Sequence, residues 1–283
     1  MVSLYVKHLD TSSNIRKLDR MRFDNVLVPI DTSTLSEAAI ELAVHSGGDF
    51  KTHLYFVFVA DVSKYNEFGS IDANINALKI KTEGKLALEN AAKRAEAMGI
   101  PYDTILVEGI PWQVISEMSK EKDMIIMGVT GQGGIAAGRV GTTAEKVIEN
   151  SYCPVLTIKS GSSKFDSILL PIENEHMAAI DIALDSAKNI KGKVTVLAVK
   201  GKNDPSALVE KVAARFAAEG INVDTKVAQG NPVDVIVSMS GNYDLVIMGT
   251  HKRSMFKKIL NGSIAERVMT SAACPVTIVR DID

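Results

Sequence analysis

Cysteine is scarce. Cys153 and Cys274 are the only two in 283 residues, which excludes a disulfide framework and points to a reducing, cytoplasmic setting. Charge of one sign is equally short. Lys and Arg number 32 against 34 Asp and Glu, a formal net charge of −2, so nothing in the balance asks for a nucleic-acid partner. No run of about 18 apolar residues occurs, which excludes a membrane-spanning helix. Residues 1–22 form an N-terminal extension without the apolar stretch of a secretory signal. Three enzyme signatures are also missing: the Gly-x4-Gly-Lys-(Ser/Thr) phosphate loop, a Gly-x-Gly-x-x-Gly turn after a strand, and a Gly-x-Ser-x-Gly elbow. His8, His45, His53, His176 and His251 show no metal-ligand spacing with cysteines or carboxylates, so no metal site is expected.

What the chain does have is a copy of itself. Phe23-Asp24-Asn25-Val26-Leu27-Val28-Pro29-Ile30-Asp31 returns as Phe165-Asp166-Ser167-Ile168-Leu169-Leu170-Pro171-Ile172-Glu173, a shift of 142 residues (23 to 165). Later landmarks return with a shift of 121 (109 to 230). Glu108-Gly109-Ile110-Pro111 matches Gln229-Gly230-Asn231-Pro232, Met124-Ile125-Ile126-Met127-Gly128 matches Leu245-Val246-Ile247-Met248-Gly249, and Cys153-Pro154-Val155 matches Cys274-Pro275-Val276. The difference between the shifts gives the first copy 21 extra residues, placed near 61–82. Repeats of this kind imply two similar units. Their expected bounds are 23–159 and 165–283, with a polar linker of turn formers between them.

Each copy alternates short apolar runs with helical periodicity. In the first, strands are expected at 25–30, 53–60, 103–107, 123–128 and 154–158, and helices at 34–46, 80–98, 111–120 and 142–150. The second follows the same plan. Apolar strands alternating with helices imply an α/β fold, an open parallel sheet in each copy with helices on both faces.

Ligands of such sheets bind beyond the carboxyl ends of the strands, where strand order reverses. Two segments lie there: Pro29-Ile30-Asp31 after the first strand, and the stretch after the fourth, Gly128-x2-Gly131-x9-Gly141-Thr142. The glycines allow close backbone approach and can present N–H groups. Thr142-Thr143-Ala144-Glu145 reads as a capping box that starts a helix, whose N-terminus attracts phosphate. A hydroxyl spent on its own helix is partly lost to a ligand, so Thr142 has two competing uses. Asp31 likewise reads as a ligand contact or as a helix N-cap, with Thr32, Ser33 and Thr34 as rival caps. Met127 and Met248 read equally as plain core, Trp112 as packing after Pro111, and the two cysteines as buried apolar groups rather than a redox pair.

The Gly-x2-Gly-x9-Gly-(Ser/Thr) spacing, the Val-Pro-Ile-Asp strand and the Cys-Pro-Val strand together resemble the universal stress protein family, over about 23–159 and 165–280. The resemblance implies five-stranded parallel sheets in order 3-2-1-4-5, and two fifth strands paired antiparallel across a pseudo-twofold axis. It also implies an adenine nucleotide, ATP or AMP with or without Mg2+, between strands one and four. In that reading Asp31 holds the base and sugar end, and Pro29 and Val59 line the adenine pocket. Met127 and Gly128 close on ribose and base, while Gly131, Gly141, Thr142 and Thr143 cradle phosphates.

The second copy matches at Pro171, Glu173, Val199, Met248, Gly249, Gly262, Ser263 and Ile264, with Ser263-Ile264-Ala265-Glu266 as its capping box. It departs twice: Glu173 replaces the aspartate, and Lys252 replaces the middle glycine. Whether it binds the same ligand is left open. His251-Lys252-Arg253 with Lys257 and Lys258 reads as a solvated loop or as a patch for RNA or an acidic partner.

Three functional readings follow. The first is a nucleotide-dependent sensor or regulator of the stress response that meets a protein partner, pairs internally as a pseudo-dimer and pairs again as a homodimer. The second is an interaction module whose glycine loops are only structural. The third is a slow nucleotide hydrolase. No placed general base is evident for catalysis, so no catalytic residue is named. The extra segment near 61–82 is expected to act as a lid or a partner surface.

Overall fold

The computed structural model describes residues 23–50, 52–61, 71–131, 140–159, 165–250 and 263–280. The first copy runs β1 (Asn25–Pro29), α1 (Thr34–Phe50), β2 (His53–Ala60), α2 (Ile71–Ala97), β3 (Tyr102–Glu108), α3 (Pro111–Met118) with a short 3-10 turn (Ser119–Glu121), β4 (Met124–Gly128), α4 (Thr142–Asn150) and β5 (Val155–Ile158). The second runs β6 (Ser167–Pro171), α5 (Met177–Ile190), β7 (Lys193–Val199), α6 (Ser206–Ala218), β8 (Val223–Ala228), α7 (Pro232–Ser240), β9 (Leu245–Thr250), α8 (Ile264–Ser271) and β10 (Val276–Arg280).

The strands form one sheet in the order β3-β2-β1-β4-β5-β10-β9-β6-β7-β8. Each half has the expected order 3-2-1-4-5 and is parallel throughout. The halves meet where β5 pairs antiparallel with β10, Val276 opposite Thr157 and Ile278 opposite Val155. Thr157 Oγ1 also donates to the Val276 carbonyl at 2.9 Å.

Alternation along the strands splits the core into two layers. Val26, Val28, Leu54 and Phe56 face α1 and α2, while Leu27, Val57, Ile125 and Met127 face α3 and α4. The second copy repeats this with Ile168 and Leu170 on one face and Leu169 on the other. Strands buried on both faces need no polar alternation, which is why they read as continuous apolar runs.

The sequence placed most elements within two residues, but α2 begins at Ile71 rather than near residue 80. It has 27 residues against 13 in α6. Both helices end at equivalent alanines, Ala97 and Ala218, and a glycine in the left-handed region follows each end, Gly99 at φ +66° and Gly220 at φ +73°. The surplus therefore lies at the start: residues 71–84 have no counterpart in α6. Much of the 21-residue insertion is helix. Ile75 and Leu78 are exposed while Ile80 faces inward, so its apolar residues fall on both sides of the helix and no single stripe announced it.

The crevice at the switch point has a visible cause. The β1–β2 ladder runs over five residue pairs, Asn25 to Pro29. The β1–β4 ladder covers only Val26 with Met124 and Leu27 with Ile125. Beyond these pairs the carboxyl ends of β1 and β4 separate. At the opposite end Asp123 Oδ2 accepts from the Asn25 backbone N–H at 2.8 Å and holds the two strands together. Asp244 makes the same bond to Ser167 in the second copy.

Candidate functional site

Between the separated ends of β1 and β4 lies a cleft of about 1010 Å³, at the upper end of the usual range for small-molecule sites. All nine first-copy residues singled out in the sequence line it: Pro29, Asp31, Val59, Met127, Gly128, Gly131, Gly141, Thr142 and Thr143. Residues as many as 114 positions apart (29 to 143) thus converge on one space.

Asp31 does not cap α1. Ser33 does, its Oγ accepting from the Ser36 N–H at 3.2 Å. Asp31 Oδ1 accepts from the Ser33 N–H at 2.9 Å and from the Ser33 hydroxyl, which holds the carboxylate at the cleft. Oδ2 lies against Gly131, where an added Cβ would come within 2.7 Å of it. Glycine at 131 therefore keeps the space in front of the carboxylate open.

The expected capping box at Thr142 is not formed. The N-cap is Gly141, with extended backbone (φ −65°, ψ 145°) and no side-chain cap. Thr142 is thus the first helical residue, one position too far along for its hydroxyl to reach back. Glu145 N–H bonds the Gly141 carbonyl at 2.9 Å. The competition foreseen for Thr142 is absent, and neither threonine hydroxyl makes a hydrogen bond among the described residues. The N–H groups of Thr142, Thr143 and Ala144 have no carbonyl of their own helix to bond, and the helix dipole adds partial positive charge there. Gly141 contributes otherwise. Its own N–H is spent on the Val129 carbonyl at 2.9 Å, and a Cβ there would stand 3.2 Å from Thr130 Cα. It lets the loop after β4 fold back on the helix start. Among the described residues of the cleft the charged ones are Asp31, Asp61, Lys79 and Glu83. No group of three or more His, Cys, Asp or Glu among the described residues could hold a metal ion.

The second copy is built differently. Ser263 is the N-cap of α8, its Oγ accepting from the Glu266 N–H at 3.1 Å, so this hydroxyl is committed. Glu173 is exposed, as is Ile264 at 41%. Pro171, Val199 and Gly249 are partly buried, and Met248 is core. His251, Lys252, Arg253, Lys257, Lys258 and Gly262 lie outside the described residues. His176, which the sequence gave no role, is buried and caps α5. Its Nδ1 accepts from the Ala179 N–H at 3.2 Å, while Nε2 lies 3.2 Å from the Thr250 carbonyl. The imidazole sits directly over Gly249, where an added methyl would fall on the ring. In the first copy Leu35 abuts the equivalent Gly128, and that glycine still lines the cleft. No spacing rule could reveal His176, because the contact joins a helix start to a strand end 74 residues away.

The sequence also missed four cleft residues on the helical extension of α2, Asn76, Lys79, Ile80 and Glu83. They share one helix face by spacing, but only once the helix is known to begin at 71.

The chain is a doubly wound α/β unit in tandem, open at the switch point of the first copy's sheet, the place where sheets of this class accept ligands. The universal stress protein family matches residues 22–159 and 201–280, well over half of the sequence, and the chain belongs to that family. A universal stress protein of Methanocaldococcus jannaschii is 32% identical over 161 residues, spanning 56% of this chain and 94% of that one. One from Mycobacterium tuberculosis is 25% identical over 227 residues, 70% of this chain and 77% of its own length. The crystal structure of a universal stress protein from Archaeoglobus fulgidus superposes with a TM-score of 0.76 at 24% identity, covering 93% of this chain and 98% of that one. It has the same fold over nearly the whole length.

Proposed function

We propose that the first copy binds an adenine nucleotide, ATP or AMP, and that the second copy is its degenerate partner in an internal pseudo-dimer. The observation that carries this reading is the convergence of nine sequence-singled residues on one cleft, with Asp31 Oδ2 facing Gly131. The N–H groups at the start of α4, which have no carbonyl of their own helix to bond, and the Thr142 and Thr143 hydroxyls suit phosphate. In this reading the base and sugar lie toward Asp31, Pro29 and Val59, with Met127 and Gly128 between. No lysine or arginine lines the phosphate end among the described residues, so Mg2+ would enter with a triphosphate. No histidine lines the cleft among the described residues and Asp31 is already engaged by Ser33, so any hydrolysis is slow. The protein then acts as a cytoplasmic sensor in the stress response, its nucleotide state choosing a protein partner, with further pairing into a homodimer. No described helix is long and apolar enough to cross a membrane.

In the second copy His176 over Gly249 and the committed Ser263 hydroxyl favour a structural role for the loop. Glu173, Lys252 and Gly262 then serve no ligand. Titration of ATP, ADP and AMP into nucleotide-stripped protein by calorimetry tests both halves. One site is expected, and Gly131→Lys abolishes it because the new side chain starts within 2.7 Å of the Asp31 carboxylate. Two sites, or one surviving in the variant, would assign binding to the second copy. No heat with any nucleotide would leave the interaction module as the function.

A further inference from the structure

The part of the cleft farthest from α4 is walled by α2. Asn76, Lys79 and Glu83 all line the cleft. They are spaced by three and four residues, so they form one row on the helix. All three lie in residues 71–84, the stretch that α6 lacks. None makes a hydrogen bond or ion pair among the described residues. The neighbouring charges on α2 behave otherwise: Lys81 pairs with Glu108 at 2.5 Å and Arg94 with Glu37 at 3.6 Å. Two charges of the helix thus act as struts, while this polar row lies unengaged, among the described residues, along a ligand-sized space.

The helix is also held close to that space. Gly84 lies against the Phe58 ring, where an added Cβ would approach within 2.5 Å. Phe58 itself lines the cleft. Lys81 ties the same stretch to the end of β3. The row is therefore fixed by tight contacts behind and below it.

We propose that the α2 extension reads the base edge of the bound nucleotide, Glu83 accepting from the exocyclic amine and Lys79 donating to the adjacent ring nitrogen. This rests on the nucleotide reading above. With phosphates at the N–H groups of α4, the base lies toward β2 and α2, on the other side of the β1–β4 opening. An adenine edge offers a donor beside an acceptor, and Glu83 and Lys79, one turn apart, offer the complementary pair. The row has no equivalent in the second copy, so base selection belongs to the first. The insertion then acts as a specificity wall.

The test pairs protein variants with nucleotide analogues. Affinities are measured by calorimetry for ATP, for its analogue without the 6-amino group, and for its 1-deaza analogue. The proteins are wild type, Glu83→Ala, Lys79→Ala and, as a control on the same helix, Lys93→Ala. All three sites are on the helix surface, and circular dichroism confirms folding. Wild type should bind each analogue about tenfold more weakly than ATP, the scale of one lost charge-assisted hydrogen bond. Glu83→Ala should bind ATP and the deamino analogue equally, while Lys79→Ala equalises ATP and the 1-deaza analogue. The control should keep both preferences. Preferences unchanged within twofold in both variants would overturn the base-reading role while leaving the nucleotide site standing. Failure of wild type to bind ATP, or undiminished binding by Gly131→Lys, would overturn the site and the inference with it.

Discussion

Asp31 shows how one side chain can be both anchored and available. Ser33 occupies Oδ1, and Gly131 keeps Oδ2 clear. Thr130, next to that glycine, is less well served. Its Oγ1 is buried without a hydrogen-bond partner among the described residues, and an unsatisfied buried hydroxyl costs about 1–3 kcal/mol. Thr130→Val keeps the shape and removes the hydroxyl. It should raise stability by about 1 kcal/mol in chemical denaturation. A loss of stability would mean that the hydroxyl has a partner in solution. Cys274 is the other informative residue. Burial pushes its thiol up to about 11, so it stays protonated and unreactive at neutral pH. A thiol reagent at pH 8 should leave it unmodified in the folded protein and label it after denaturation. Rapid labelling of the native state would reopen a redox role.

At the scale of elements, α2 and α4 both wall the cleft. The close approach of α2 to β2 depends on Gly84. Replacing it by alanine gains about 1 kcal/mol of helix propensity but drives a methyl into the Phe58 ring, at about 1–3 kcal/mol for overpacking. The expected net is a modest loss of thermal stability together with weaker nucleotide binding, because Phe58 lines the cleft. A stabilised protein with full affinity would show that the helix can retreat freely. At the other side of the cleft, α4 is held from both ends. Lys146 lies over the Trp112 ring of α3 at 5.2 Å, so Trp112 both packs and bears a cation. From the second copy, Arg280 donates to the Ile148 and Ser151 carbonyls at the end of α4, at 3.4 and 3.2 Å. The helix whose start lines the cleft is thus capped at its finish by the other half of the molecule.

At the scale of the whole molecule, the β5–β10 ladder covers two buried apolar edges that would otherwise be exposed. Val155, Thr157, Val276 and Ile278 on that seam are each at most 3% exposed. The first copy expressed alone, residues 1–160, should therefore dimerise through its bared β5. Sedimentation at micromolar concentration would show a dimer. A stable monomer would mean that the seam contributes little and that the halves associate through their helices instead. Joining the copies in one chain removes the concentration dependence of that pairing. It also frees the second copy to change, and His176 over Gly249 is one such change.

The repeat, the alternating elements and the glycine loop with Asp31 were legible as local pattern, while the strand order and the places of Pro29, Val59 and Met127 came with the resemblance to the universal stress protein family. Glycines, turn residues and apolar runs act within a few positions of where they stand, so they are legible without coordinates. Tertiary structure alone decided the rest. Thr142 lost its capping role because the chain enters α4 in an extended Gly141, one residue of register that no spacing states. Of the rival caps before α1 it was Ser33 that took the role, which left Asp31 at the cleft. Asn76, Lys79 and Glu83 became cleft residues only when α2 proved to start at Ile71, and His176 gained its place through a contact between distant elements. These are questions of where surfaces meet after folding, and they are settled by packing between elements far apart in the chain.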